Sequence, residues 1–175
     1  MLYLTDQDIP FTGAQFLRIL RLCFRYADSF TLTELRMPNT VPPLKSDLQK
    51  ELRPFLRTDF ETGSWFITPK MNPPRHIFLY RADPDALPVL ERYAHSLSGL
   101  GYRMPEENLE DLCFFSGDTL FFGTLSPDGF CGVYPPTDGF EKELLAVRED
   151  WRSAQTAPEP LRLPNTLRKY TEQRT

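Results

Sequence analysis

Residues 107–134 read ENLEDLCFFSGDTLFFGTLSPDGFCGVY. Three apolar runs, 112–116, 120–125 and 130–134, are separated by Gly117-Asp118 and by Ser126-Pro127-Asp128-Gly129. Glycine supplies positive φ, proline pre-sets φ, and aspartate bonds its own backbone, so both connectors are tight turns. Apolar runs joined by so few turn-forming residues predict hairpins, and two hairpins in series predict an antiparallel meander.

Side chains alternate across a strand. One face of the meander is expected to carry Leu112, Phe114, Leu120, Phe122, Phe130 and Tyr134. The other is expected to carry Cys113, Phe115, Phe121, Leu125, Cys131 and Val133. A sheet with one wet face alternates apolar with polar, and this one does not. Both faces are therefore expected to be covered, by helices of this chain or by a partner.

Working outward, Thr12 is placed to cap a first helix whose Phe16, Leu17, Leu20, Cys23 and Phe24 form one buried stripe. Arg18, Arg21 and Arg25 lie on another face, either solvated or contacting phosphate or acidic groups. Alternation over 29–36 predicts a strand. Pro42-Pro43 opens a second helix carrying Leu44, Leu48 and Leu52, which Pro54 ends or kinks. A hairpin or bulged strand is expected over 58–68, and HIFLY, 76–80, is a strand. Asp83-Pro84-Asp85 starts a third helix, closed at Ser98-Gly99-Leu100-Gly101. After the meander, Pro135-Pro136 breaks the sheet, and Thr137 or Asp138 caps a last helix holding Phe140, Leu144, Leu145, Val147 and Trp151.

The expected fold is α+β, one domain over 1–153, in the order α-β-α-β-β-α-β-β-β-α. Its sheet is mixed or antiparallel, of five or six strands, with the meander at one side and about four helices. Residues 154–175 hold three prolines and scattered leucines and read as an extended or flexible tail. Leu161 and Leu163 are expected to dock on apolar surface, of this chain or of a neighbouring copy in a homodimer.

At 175 residues and 41% hydrophobic, the chain has enough apolar surface to fold without disulfide or metal staples. It has no apolar run of about 18 residues, so no membrane span is expected, and MLYLTDQDIPF lacks the pattern of a signal peptide. Cys23, Cys113 and Cys131 sit in apolar contexts without a C-x-x-C pair. They read as buried thiols in a reducing, cytoplasmic setting, with neither zinc nor redox work. Residues 1–81 carry 11 basic and 8 acidic side chains, whereas 82–153 carry 5 and 14, a local charge of −9. Such an acidic half repels nucleic acid and suits a basic protein partner.

Catalytic signatures are sparse. The two histidines, His76 and His95, lack adjacent partners, and no nucleophile elbow or phosphate loop occurs. Asp83-x-Asp85 reads as a helix cap rather than a metal pair. Glu106, Glu107, Glu110 and Asp111 read as an exposed acidic patch.

The string with Asp111-Leu112, Phe114-Phe115, Phe122-Gly123-Thr124 and Ser126 resembles the C-terminal strand region of small bacterial immunity proteins, which neutralise polymorphic or contact-dependent toxins. Where their turn often carries His-Glu, this chain has Pro127-Asp128. The resemblance implies a cytoplasmic, non-enzymatic binder of a toxin, without cofactor. Together with the acidic half, it makes Glu106, Glu107, Glu110, Asp111, Asp128 and Phe130 the residues expected to meet a basic partner. The alternatives are a small enzyme using His76, His95 or the 106–111 carboxylates, and a subunit or adaptor connected through the tail.

Overall fold

The computed structural model describes residues 1–5, 13–34, 47–94, 96 and 109–170. Its strands are β1 (Leu2–Thr5), β2 (Ser29–Glu34), β3 (Leu56–Thr62), β4 (Arg75–Arg81), β5 (Leu109–Ser116), β6 (Thr119–Leu125), β7 (Phe130–Val133) and β8 (Arg152–Ser153). Its helices are α1 (Gly13–Tyr26), α2 (Asp47–Leu52), α3 (Leu87–Tyr93) and α4 (Asp138–Val147), with short 3₁₀ turns at Arg53–Phe55, Pro84–Ala86 and Asn165–Tyr170. The eight strands form one antiparallel sheet in the order β3-β4-β2-β5-β6-β7-β1-β8. The chain is thus α+β, and the expected order of elements stands, flanked by two strands that were not expected. β1 adds outside β7, and β8 outside β1, so the meander lies inside the sheet rather than at one side.

Local signals explain the caps. Asp83 accepts a hydrogen bond from the Asp85 N–H (3.0 Å), and Thr137 accepts one from the Phe140 N–H (3.1 Å). The expected caps at Thr12 and at 98–101 lie outside the described residues, as does the first part of the second helix. α4 ends at Val147, and Trp151 is buried beyond it. Two of the three arginines of the stripe on α1 are drawn into ion pairs: Arg21 reaches Glu91 (2.6 Å) and Arg25 reaches Glu143.

The helices all cover one face. Phe16, Ile19, Leu20 and Cys23 of α1, Leu48 and Leu52 of α2, Leu90 of α3 and Phe140 and Leu144 of α4 bury Phe30, Leu32, Tyr80, Phe114 and Phe122. The second face has no α-helix among the described residues. There Ile77, Leu79, Cys113, Phe115 and Leu120 are covered by Trp65 and Phe66 from the loop after β3 and by Leu161, Leu163 and Tyr170 from the tail.

The tail docks where the sheet has room. Pro135-Pro136 stops β7 early, which leaves the start of β6 without a strand on that side. The Leu120 N–H donates to the Leu161 carbonyl (2.9 Å) and the Leu163 N–H to the Asp118 carbonyl (2.8 Å). Arg168 pairs with Asp118 (2.7 Å), and the Tyr134 hydroxyl donates to the Pro158 carbonyl (2.9 Å).

Two bulges reset the alternation. On β6, Phe122 pairs with Phe114 but Leu120 pairs with Phe115, so Phe121 is the extra residue. Leu120 therefore lies on the second face and Phe121 on the helix face, the reverse of strict alternation. On β5, Cys113 faces Thr31 but Glu110 faces Thr33, so β5 uses three steps where β2 uses two. The excess falls at Asp111, which adopts φ 54°.

Gly123 and Gly132 are opposite each other on β6 and β7 and form a flat trough for the Phe66 ring. A Cβ at Gly123 would lie 3.1 Å from three ring atoms of Phe66. Gly123→Ala is expected to destabilise the protein by about 1–2 kcal/mol through this overpacking. In a Phe66→Ala background the same substitution should be much milder. Chemical denaturation of the four proteins of the cycle measures the difference, and an equal loss in both backgrounds would show that Phe66 is not the cause.

Candidate functional site

The bulge on β5 decides where the acidic side chains go. With strict alternation Glu110 would join Leu112 and Phe114 on the helix face. The extra residue turns it to the second face, beside its register partner Thr33 and close to Arg75 at the start of β4. Bulges re-aim side chains in this way. Arg75 Nη1 donates to Glu110 Oε1 at 2.9 Å. Glu110 is only 1% exposed, and its other oxygen, Oε2, has no hydrogen-bond partner; Thr33 Oγ1 is also buried and unpartnered.

Asp111 holds the bulge. Its left-handed backbone is one that aspartate tolerates better than most residues. The Ser126 N–H donates to Asp111 Oδ1 (2.8 Å), and the Asp111 N–H donates back to Ser126 Oγ (3.0 Å). This reciprocal clamp ties the start of β5 to the turn after β6. Burial pushes the Asp111 carboxyl up to about 7, with Glu110 and Asp128 adding repulsion against the Ser126 bond and the Arg75 charge. Burial also raises the Glu110 carboxyl, opposed by Arg75.

The same end of the sheet carries an aromatic group on the second face. Tyr3 of β1 and Phe130 of β7 stack with centroids 6.0 Å apart, and Phe66 lies 6.3 Å from Phe130. Both Tyr3 and Phe130 are half-exposed. They border a concavity of about 510 Å³ lined also by Met1 and Ser153–Thr156. Asp128, in the turn before Phe130, is exposed. Phe130 and Glu110 begin strands two apart, roughly 10 Å across the sheet.

Four of the six residues expected to meet a partner, Glu110, Asp111, Asp128 and Phe130, are thus at one end of the sheet. Glu106 and Glu107 lie outside the described residues. The patch itself is corrected: Glu110 is buried and Asp111 half-buried, because the bulge turns the first into the sheet and the clamp holds the second. Sequence reasoning missed Arg75, Thr33 and Tyr3, each brought in from a distant part of the chain, and gave Ser126 no role as a partner of Asp111. One signal was available: an acidic pair leading directly into a buried strand demands partners from somewhere.

The other chemical candidates separate. His76 lies on the helix face, bonded to Asp59 (2.6 Å) and 3.6 Å from Glu34, and so cannot share a pocket with Glu110. His95 lies outside the described residues. Burial raises the Cys113 thiol to about 12, and the Cys23 thiol is raised well above its ordinary value for the same reason. Neither is primed as a nucleophile. Among the described residues no cluster of three or more His, Cys, Asp or Glu is arranged to hold a metal, and no helix is long and apolar enough to cross a membrane.

Fold and site together define an antiparallel α+β protein with one helix-covered face and one face plugged by a loop and a tail. No protein-family model matches the chain, and neither the curated proteins nor the solved structures provide a match.

Proposed function

We propose that this chain is a protein-binding protein that engages a basic partner at the Tyr3–Phe130 end of its sheet. The observation that carries this reading is the half-exposed Tyr3–Phe130 stack beside a concavity of about 510 Å³. Aromatic side chains that present area without full burial are the usual anchors of protein interfaces. Exposed Asp128 stands next to the stack, within a segment of charge −9, and such a field speeds encounter with a basic surface. The resemblance of 106–135 to immunity proteins supports the narrower form of the reading: a cytoplasmic antagonist of a basic toxin.

The test is affinity capture from the source cell with wild type and with a Tyr3→Ala/Phe130→Ala double variant whose fold is checked by circular dichroism. Wild type should retain a basic protein that the double variant loses, since each anchor is worth about 2 kcal/mol or more at an interface centre. Retention of no protein, or equal retention by both forms, would sink the reading.

A further inference from the structure

We propose that the bulge at Glu110–Asp111 is the receptor for one guanidinium group, supplied by an arginine side chain of the basic partner. The inference rests on the protein-binding reading and names the chemistry its partner must present.

The charges at the bulge do not balance. Glu110 and Asp111 are consecutive carboxylates, with Asp128 near enough to add repulsion. Among the described residues the cation bonded to the pair is Arg75, and it takes a single oxygen, Glu110 Oε1. Glu110 and Thr33, each 1% exposed, are register partners across β2 and β5, and Glu110 Oε2 and Thr33 Oγ1 have no hydrogen-bond partner. A buried charged oxygen without a hydrogen bond is destabilising, as is a left-handed non-glycine residue. Features that oppose folding persist at places that recognise something.

The missing element is a donor with positive charge. A guanidinium fits better than an ammonium because its planar fork presents several N–H groups at fixed angles. Such a fork of donors suits two consecutive carboxylates. Arg75 is 32% exposed and Asp111 is half-buried, so the site borders the surface. One partner surface can therefore cover this point and the Tyr3–Phe130 stack. A proton now does part of what the guanidinium would do, since both carboxyls hold protons more tightly than usual. Binding must then displace that proton, and affinity must rise with pH up to about 7.

Hexa-arginine and hexa-lysine titrated into the full chain by calorimetry provide the test. Hexa-arginine should bind wild type roughly tenfold or more tightly at about pH 8 than at about pH 5.5. Asp111→Asn should bind it more weakly and with a smaller pH response, the remainder coming from Glu110. Glu159→Gln, which removes an exposed acid in the tail, should behave as wild type. Absence of hexa-arginine binding, a pH-independent affinity in wild type, or an unchanged pH response in Asp111→Asn would each overturn the proposal. An equal pH response to hexa-lysine would overturn the choice of guanidinium. None of these failures touches the capture experiment with Tyr3 and Phe130, which tests the protein-binding reading separately.

Discussion

Asp111→Asn is expected to raise the melting temperature at about pH 8 and to leave it nearly unchanged near pH 4. In the folded chain the Asp111 carboxyl is raised from 3.8 to about 7. Between those values the unfolded chain has released its proton and the folded chain has not. Unfolding then releases a proton, so the stability due to this group falls as pH rises through that window and is level above it. Each tenfold gain in proton affinity on folding corresponds to about 1.4 kcal/mol. Half-burial reduces the full amount, and a gain of roughly 2–3 kcal/mol for the variant at pH 8 is expected, or about 5–10 °C for a chain of this size.

Asparagine keeps the other contacts. It tolerates the left-handed backbone, and its Oδ1 still accepts from the Ser126 N–H. Near pH 4 the wild-type carboxyl is itself neutral, so the two proteins converge. Glu143 and Asp150, whose carboxyls are lowered by Arg25 and Arg148, lose stability in acid, but equally in both proteins. Thermal melts across pH check the curve. A variant no more stable than wild type at pH 8 would show that the bulge carboxylate is solvated enough to ionise without penalty.

Deleting residues 157–175 should lower stability more than any surface substitution. Leu163, in the cluster on the second face, is 2% exposed, Leu161 and Tyr170 pack against that cluster, and Leu167 is 8% exposed. Burying a leucine contributes about 1.5–3 kcal/mol. The truncation also removes two backbone hydrogen bonds along the start of β6 and the Arg168–Asp118 pair. A loss of roughly 4–6 kcal/mol is expected, about 10–20 °C in melting temperature, with new binding of a hydrophobic dye to the uncovered Leu120 and Phe115. Alanine at Leu163 alone should reproduce about 2–4 kcal/mol of it. Unchanged melting and no dye binding would mean the tail rests on the sheet without stabilising it.

The candidate site was legible in part. Phe130 and Asp128 follow from turn chemistry and hydrophobic pattern, and both are where a partner could reach them. Glu110 was misplaced because a bulge leaves no periodic mark: an acidic residue one step before an apolar strand looks the same whether it faces water or the sheet. Tyr3 was missed because Leu2–Thr5 is only four residues long, and its partner strand β7 begins at Phe130, far along the chain.

By itself, the sequence determined whatever depends on neighbours along the chain. The turns at Gly117-Asp118 and 126–129, the caps at Asp83 and Thr137, the stripe on α1 and the order of elements all follow from local backbone preference and side-chain period. Tertiary structure alone decided the rest: that the helices share one face, that the tail fills the gap left by Pro135-Pro136, and that Glu110 lies beside Thr33 and Arg75. The physical reason is register. A one-residue slip between strands exchanges the two faces of a sheet, and which slip occurs is settled by the pairing partner and not by the strand's own residues.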